Sequence, residues 1–135
     1  FDEVVVAVYD APPKNLLFTT DERIDLWRAC LHDRPNITVQ AYKGLTVDFA
    51  QEVGATVMVR GLRALSDFEY EQEMALTNKR LAPEVEAVFM MSSHAYLYLS
   101  SSRIKELWSL GKPVEEMVPP HVGAALTKKF PPKGR

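Results

Sequence analysis

Two arginines bracket a glycine and a leucine in Arg60-Gly61-Leu62-Arg63, directly after the apolar run Thr56-Val57-Met58-Val59 and ahead of the acid-rich stretch Asp67-Phe68-Glu69-Tyr70-Glu71. A guanidinium is a planar fork of donors that never loses its charge, so two of them on a glycine turn are suited to holding phosphate. If the apolar run is a strand of an open α/β sheet, that turn lies at its carboxyl end, where such sheets bind ligands. Ser66 and Glu69 have capping-box spacing and predict a helix opening at Ser66. A plainer chemistry is equally open, since either arginine can bridge to Glu69 or Glu71. Glu71, one turn into the helix, would face the same loop and accept from a sugar hydroxyl or an amine; otherwise it is one acid on a solvated face.

A second phosphate-compatible feature is the triplet Ser100-Ser101-Ser102 at the mouth of a predicted helix. Free backbone N–H groups and about half a positive charge collect at a helix N-terminus. Arg103 and Lys105 follow immediately and favour an anion there over a simple cap with solvated neighbours. Lys14 follows the first strand; taken alone it reads as a surface lysine. His32, His94 and His121 lack metal-ligand spacing, and no Asp/Glu/His cluster suggests zinc. A nucleophile elbow, a Walker lysine motif and a dinucleotide glycine fingerprint are all missing from the 135 residues. Phosphoryl-type transfer needs mainly alignment and charge neutralisation, and these residue types supply both.

The positioning elements are legible as alternating strands and helices. Val4 to Val8 is a continuous β-rich run that predicts a strand buried on both faces. After the turn Asp10-Ala11-Pro12-Pro13, a helix begins near Thr19, where Thr19 and Glu22 form a capping box and Ile24, Trp27 and Leu31 share a face. Ile37 to Ala41 is a strand. Val47 to Val53 is a short helix, stopped at Gly54 by a left-handed residue. Thr56 to Arg60 is the third strand, and Ser66 to Leu81 the longest helix, with Tyr70, Met74, Thr77 and Leu81 in a stripe. Val85 to Met91 is the fourth strand. A helix from Ser101 to Leu110 closes at Gly111, and Pro119-Pro120 introduces a last helix reaching Phe130. Pro131 to Arg135 is a loose tail.

This alternation implies a doubly wound parallel α/β sheet, one domain over residues 1–130, with right-handed crossovers. Loops that follow strands should gather on one edge, bringing Lys14, Tyr42-Lys43-Gly44, Arg60-Gly61-Arg63 and the serine triplet to a single rim. Composition sets the bounds. The formal net charge is −2, which offers no electrostatic footprint for gripping nucleic acid. No apolar run approaches the roughly 20 residues of a membrane span. Cys30, the single cysteine, sits between Leu26, Trp27 and Leu31 and reads as buried core. The cytoplasm is the natural location.

Together, Lys14 after a strand, Arg60-Gly61-Leu62-Arg63, Asp67-Phe68-Glu69-Tyr70-Glu71, Asn78 and Ser100-Ser101-Ser102-Arg103-Ile104-Lys105-Glu106 resemble bacterial phosphopantetheine adenylyltransferase, of the nucleotidyltransferase superfamily. The resemblance runs from Phe1 to about Phe130. It implies a Rossmann-like nucleotidyltransferase fold and a reaction of coenzyme A synthesis, in which the phosphate of 4′-phosphopantetheine attacks the α-phosphorus of ATP. Dephospho-coenzyme A and pyrophosphate result. By that pattern Lys14 and Arg60 hold the attacking phosphate, with Thr46 beside the pantetheine arm, and Lys14, Arg60 and Arg63 carry the catalytic charge. Gly61, Leu62, Arg63 and Glu71 meet the nucleotide. Tyr96, Leu97, Tyr98, Leu99, Ser100, Ser101 and Ser102 close over its base and triphosphate. Mg2+ on ATP, a homohexamer and coenzyme A as a feedback ligand are further implications.

Family members carry, ahead of the position of Phe1, a first strand, a Gly-Thr/Ser-Phe-Asp-Pro turn and a Thr/His-x-Gly-His motif whose histidine stabilises transition-state charge. Neither His32 nor His94 fits that motif on spacing. The expectation is therefore an N-terminally incomplete form of an active enzyme, nearly inactive by itself. Two other readings are a nucleotidyltransferase acting on nicotinate mononucleotide or a sugar phosphate, and a non-catalytic nucleotide-binding module.

Overall fold

Strands and helices alternate along the chain as β1 (Val4–Tyr9), α1 (Thr20–Cys30), β2 (Ile37–Tyr42), α2 (Thr46–Glu52), β3 (Val57–Leu62), α3 (Leu65–Leu81), β4 (Glu86–Met91), α4 (Ser101–Ser109) and α5 (Pro120–Lys129), with a turn of 3-10 helix at His94–Tyr96. The chain is α/β. The computed structural model describes residues 1–10 and 15–131, the side chains of Leu65 and Ser66 excepted. Lys14, the turn residues Ala11-Pro12-Pro13 and the last four residues of the tail lie outside the described residues. Two compact units form, one from Phe1–Ala41 with Leu99–Arg135 and the other from Tyr42–Tyr98. No helix among the described residues is long and apolar enough to cross a membrane.

In the Tyr42–Tyr98 unit, β3 and β4 pair in parallel from Val57↔Glu86 to Leu62↔Met91, with α3 as the crossover that parallel neighbours require. Val47 and Ala50 of α2 are buried with Ala82 and Val85, and Ala55 and Met58 pack against them. Gly54 ends α2 at φ 70°, the left-handed conformation its sequence position predicts. Strand β3 runs two residues beyond the expected end. Gly61 opposes Met90, Leu62 opposes Met91, and the Leu62 carbonyl accepts from the Ser92 N–H at 2.8 Å. Arg60 and Gly61 are therefore strand residues and not a turn, because the ladder continues past them.

The start of α3 also departs from expectation. Its N-cap is Ala64, which makes no side-chain cap bond. With only Arg63 and Ala64 between strand and helix, Ser66 falls inside the first turn of α3 and is not its N-cap. Nor is the stripe of Tyr70, Met74, Thr77 and Leu81 the inner face, for Tyr70 and Leu81 are exposed. The more covered positions are Asp67, Glu71, Met74, Ala75 and Asn78, spaced as one helical face. That face begins with two acids because they meet arginines and not apolar groups.

In the other unit, β1 and β2 form a two-stranded sheet, and Val8, Ile24 and Val39 are buried with Val6 and Leu31 packed alongside. Adjacent β1 positions differ, Ala7 being exposed and Val8 buried, so the run is not covered throughout on both faces as its composition predicts. A second cluster joins Trp108, Val114 and Leu126, and the Trp108 indole N–H donates to the Phe130 carbonyl at 2.7 Å. The Thr19–Glu22 capping box is complete. Lys129 reaches back to Glu22 and lies over the Phe18 and Phe130 rings. Cys30 is exposed, contrary to the core reading. It lies six residues beyond buried Ile24, which is about a third of a turn off that residue's face, and its sulfur sits 3.3 Å from His121 Nε2. Gly111, at φ 69°, closes α4 as expected, and Pro120 occupies the first turn of α5.

Candidate functional site

Arg60 extends from β3 on the same side as Met58 and Leu62, since strand side chains alternate. Glu71 comes from the second turn of α3. The Glu71 Oε2 accepts from Arg60 Nε at 2.8 Å and its Oε1 from Nη2 at 2.6 Å. This is a side-on bidentate pair, the strong form of arginine–carboxylate contact. The acid is the inner partner, its side chain 12% exposed against 46% for Arg60. The Glu71 hydrogen bonds hold the Arg60 guanidinium above its ordinary pKa against the opposing effect of partial burial, with Tyr42 and Tyr70 also within electrostatic reach. Arg60 is a permanent cation.

One turn earlier on the same helix face, Asp67 serves Arg63. Its Oδ2 accepts from the Arg63 backbone N–H at 3.2 Å and from Nε at 3.1 Å. Partial desolvation works against ionisation of Asp67, but those two bonds, the Arg63 charge and a bond from the Ala64 backbone together outweigh it and hold the carboxyl below its ordinary pKa. The choice between Glu69 and Glu71 resolves to Glu71 for Arg60, whereas Arg63 takes Asp67, an acid outside that choice. Sequence reasoning assigned Asp67 no partner, although its i, i+4 relation to Glu71 puts both acids on one face.

Thr46, at the first position of α2, is linked to this arrangement through Tyr42. The Tyr42 hydroxyl and Thr46 Oγ1 are 2.9 Å apart, and the Tyr42 ring stacks on Phe49 at 5.0 Å between centroids. Gly61 has no neighbour within 4 Å of where a Cβ would stand, so its backbone is open on that side. Tyr96, Leu97 and Tyr98 follow β4 with exposed side chains. Among the described residues no group of three or more His, Cys, Asp or Glu side chains is placed to hold a metal ion.

Leu99 and the serine triplet belong to the other unit. Ser100 is the N-cap of α4, its hydroxyl oxygen accepting from the Arg103 N–H at 3.1 Å. Ser101 and Ser102 are exposed on the first turn. Arg103 pairs with Glu106 at 3.1 Å, and Lys105 donates to the Asn15 carbonyl at 3.2 Å. The two cations after the triplet are thus engaged with protein groups.

The class of the chain is set by the cytidylyltransferase-like family model, which matches residues 1–107. Over 134 residues the chain is 51% identical to a phosphopantetheine adenylyltransferase of Desulforudis audaxviator, covering 99% of this chain and 82% of that protein. Proteins of the same name from Geotalea daltonii and Heliobacterium modesticaldum are each 49% identical over 130 residues, covering 96% of this chain and 81% and 77% of theirs. The chain belongs to the phosphopantetheine adenylyltransferase family.

Proposed function

We propose that this chain transfers the adenylyl group of ATP to 4′-phosphopantetheine, giving dephospho-coenzyme A and pyrophosphate. Family membership at about half identity over nearly the whole chain carries this reading. A phosphate dianion is already a nucleophile, so no side chain has to accept its proton. What the reaction requires is an in-line approach and neutralisation of spreading charge.

In this reading Arg60 and Lys14 hold the attacking phosphate. The Arg60 guanidinium is already fixed by Glu71, so little side-chain freedom is lost when phosphate arrives. Thr46, tied to Tyr42, lies beside the pantetheine arm. The open backbone of Gly61 lets the nucleotide approach closely, next to Leu62 and Arg63. Residues Tyr96 to Ser102 serve the base and triphosphate, with the first turn of α4 supplying N–H donors. Mg2+ enters as the ion carried by ATP. A cytoplasmic homohexamer with coenzyme A as a feedback ligand completes the proposal.

Pyrophosphate release is the test. ATP with 4′-phosphopantetheine should support it, and substituting nicotinate mononucleotide for the pantetheine substrate should not. Release with nicotinate mononucleotide alone would overturn the assignment. Tight binding of ATP and phosphopantetheine without release would instead identify a non-catalytic binding module.

A further inference from the structure

We infer that Tyr42 is a positioning residue for the pantetheine-bearing substrate: its hydroxyl donates to Thr46 Oγ1 and so turns the Thr46 proton toward an amide carbonyl of the pantetheine arm. The inference rests on the place proposed above for Thr46 beside that arm. The two hydroxyl oxygens are 2.9 Å apart, and either could be the donor. Acidity decides the direction. A phenol is a stronger acid than an aliphatic alcohol, so its O–H is the better donor and the alcohol oxygen the better acceptor. With Thr46 accepting, its own proton is left to donate. Each bond in such a chain of hydroxyls polarises the next, which strengthens the last one.

Both members of the pair are held in place. The Tyr42 ring stacks on Phe49, with centroids 5.0 Å and planes 18° apart, and Phe49 is buried. Thr46 opens α2, and its branched Cβ already restricts its χ1. Thr46 and Phe49 stand three residues apart on that helix and so are neighbours on its surface. One tyrosine at the end of β2 therefore meets both, by its ring and by its hydroxyl. A phenylalanine would stack equally well, and the hydroxyl is what reaches Thr46.

Calorimetry with pantetheine, its 4′-phosphate and ATP as separate probes tests the assignment, pantetheine being titrated in competition with its phosphate. Tyr42→Phe should melt close to the parent. It should weaken pantetheine and 4′-phosphopantetheine by the same factor, about threefold to tenfold for one hydrogen bond, and leave ATP unchanged. Thr46→Val keeps the shape without the hydroxyl and should lose at least as much. Adding Tyr42→Phe to Thr46→Val should weaken binding no further, because the bond is already gone. Thr46→Ser, with its hydroxyl retained, should stay closer to the parent than Thr46→Val. If Thr46→Val loses pantetheine affinity and Tyr42→Phe does not, Tyr42 positions nothing and the inference is wrong. It fails too if Tyr42→Phe weakens the phosphorylated ligand alone, since the hydroxyl then acts at the phosphate, or if ATP weakens with it. Parent-like binding of pantetheine by Thr46→Val would instead remove Thr46 from the arm, and the inference with it.

Discussion

A guanidinium clasped along one edge can be replaced by neither a lone positive charge nor a free-swinging one. Arg60→Lys keeps the charge but cannot bridge Glu71 by two parallel bonds, so turnover should fall by about tenfold or more. Arg60→Ala should lose about 10²–10³. Steady-state pyrophosphate release measures both, and a lysine variant as active as the parent would mean that charge alone matters. Breaking the Arg60–Glu71 pair should cost only about 1 kcal/mol of stability, since Arg60 is nearly half exposed and solvent screens it. Asp67 gives a pH signature. Its folded-state pKa lies below its unfolded value of about 3.9, so its contribution is full above that pH and drains away as pH falls through the lower folded value. The urea-midpoint gap between the parent and Asp67→Asn should hold steady from neutrality to about pH 4 and close below it. At this scale the sequence disclosed the arginines and a short choice of acids. It did not disclose which acid serves which arginine, because that depends on how the helix is rotated against the strand. The exposure of Cys30 is hidden for the same reason, since periodicity gives spacing without phase.

Helix caps illustrate how local motifs fare once elements pack. Thr19–Glu22 and Ser66–Glu69 have the same spacing, yet only Thr19 stands at the N-cap position of its helix. The pairing of β3 with β4 through Leu62↔Met91 leaves two loop residues, so α3 must begin ahead of Ser66. Nothing in the local sequence announces that register. The cap at Ser100 is different: a capping serine is the plainer of the two readings of the triplet, and the fold has one. Ser100→Ala should cost about 1 kcal/mol of stability by denaturant unfolding. The glycines divide along the same line. Gly54 at φ 70° and Gly111 at φ 69° hold conformations that alanine resists, so either substitution should destabilise by about 1 kcal/mol. Gly61 is not among the positive-φ positions, and a Cβ there meets nothing within 4 Å. Gly61→Ala should melt close to the parent while weakening ATP binding, a separation that calorimetry and a thermal scan resolve together.

At the level of the molecule, alternation of apolar runs with amphipathic segments made the α/β class readable, because period two and period 3.6 are written directly in the residues. The grouping into compact units was not readable, since it depends on which buried side chains find one another. Val47 and Val114, each 1% exposed, sit in separate clusters. Val47→Ala should cost about 1–3 kcal/mol and speed amide hydrogen exchange in β3 and β4. Val114→Ala should act on α4 and α5 by a similar amount. Exchange rising equally everywhere in both variants would show that the units open only as a whole.

The chain's two tryptophans, Trp27 and Trp108, both fall within Phe1–Ala41 and Leu99–Arg135. One is 46% exposed and the other 9%, so their emission should be red-shifted and blue-shifted respectively. The unit that carries Arg60 and Glu71, Tyr42–Tyr98, has no indole of its own. Loosening of that unit would have to be followed through its tyrosines, Tyr42, Tyr70, Tyr96 and Tyr98, in near-ultraviolet dichroism.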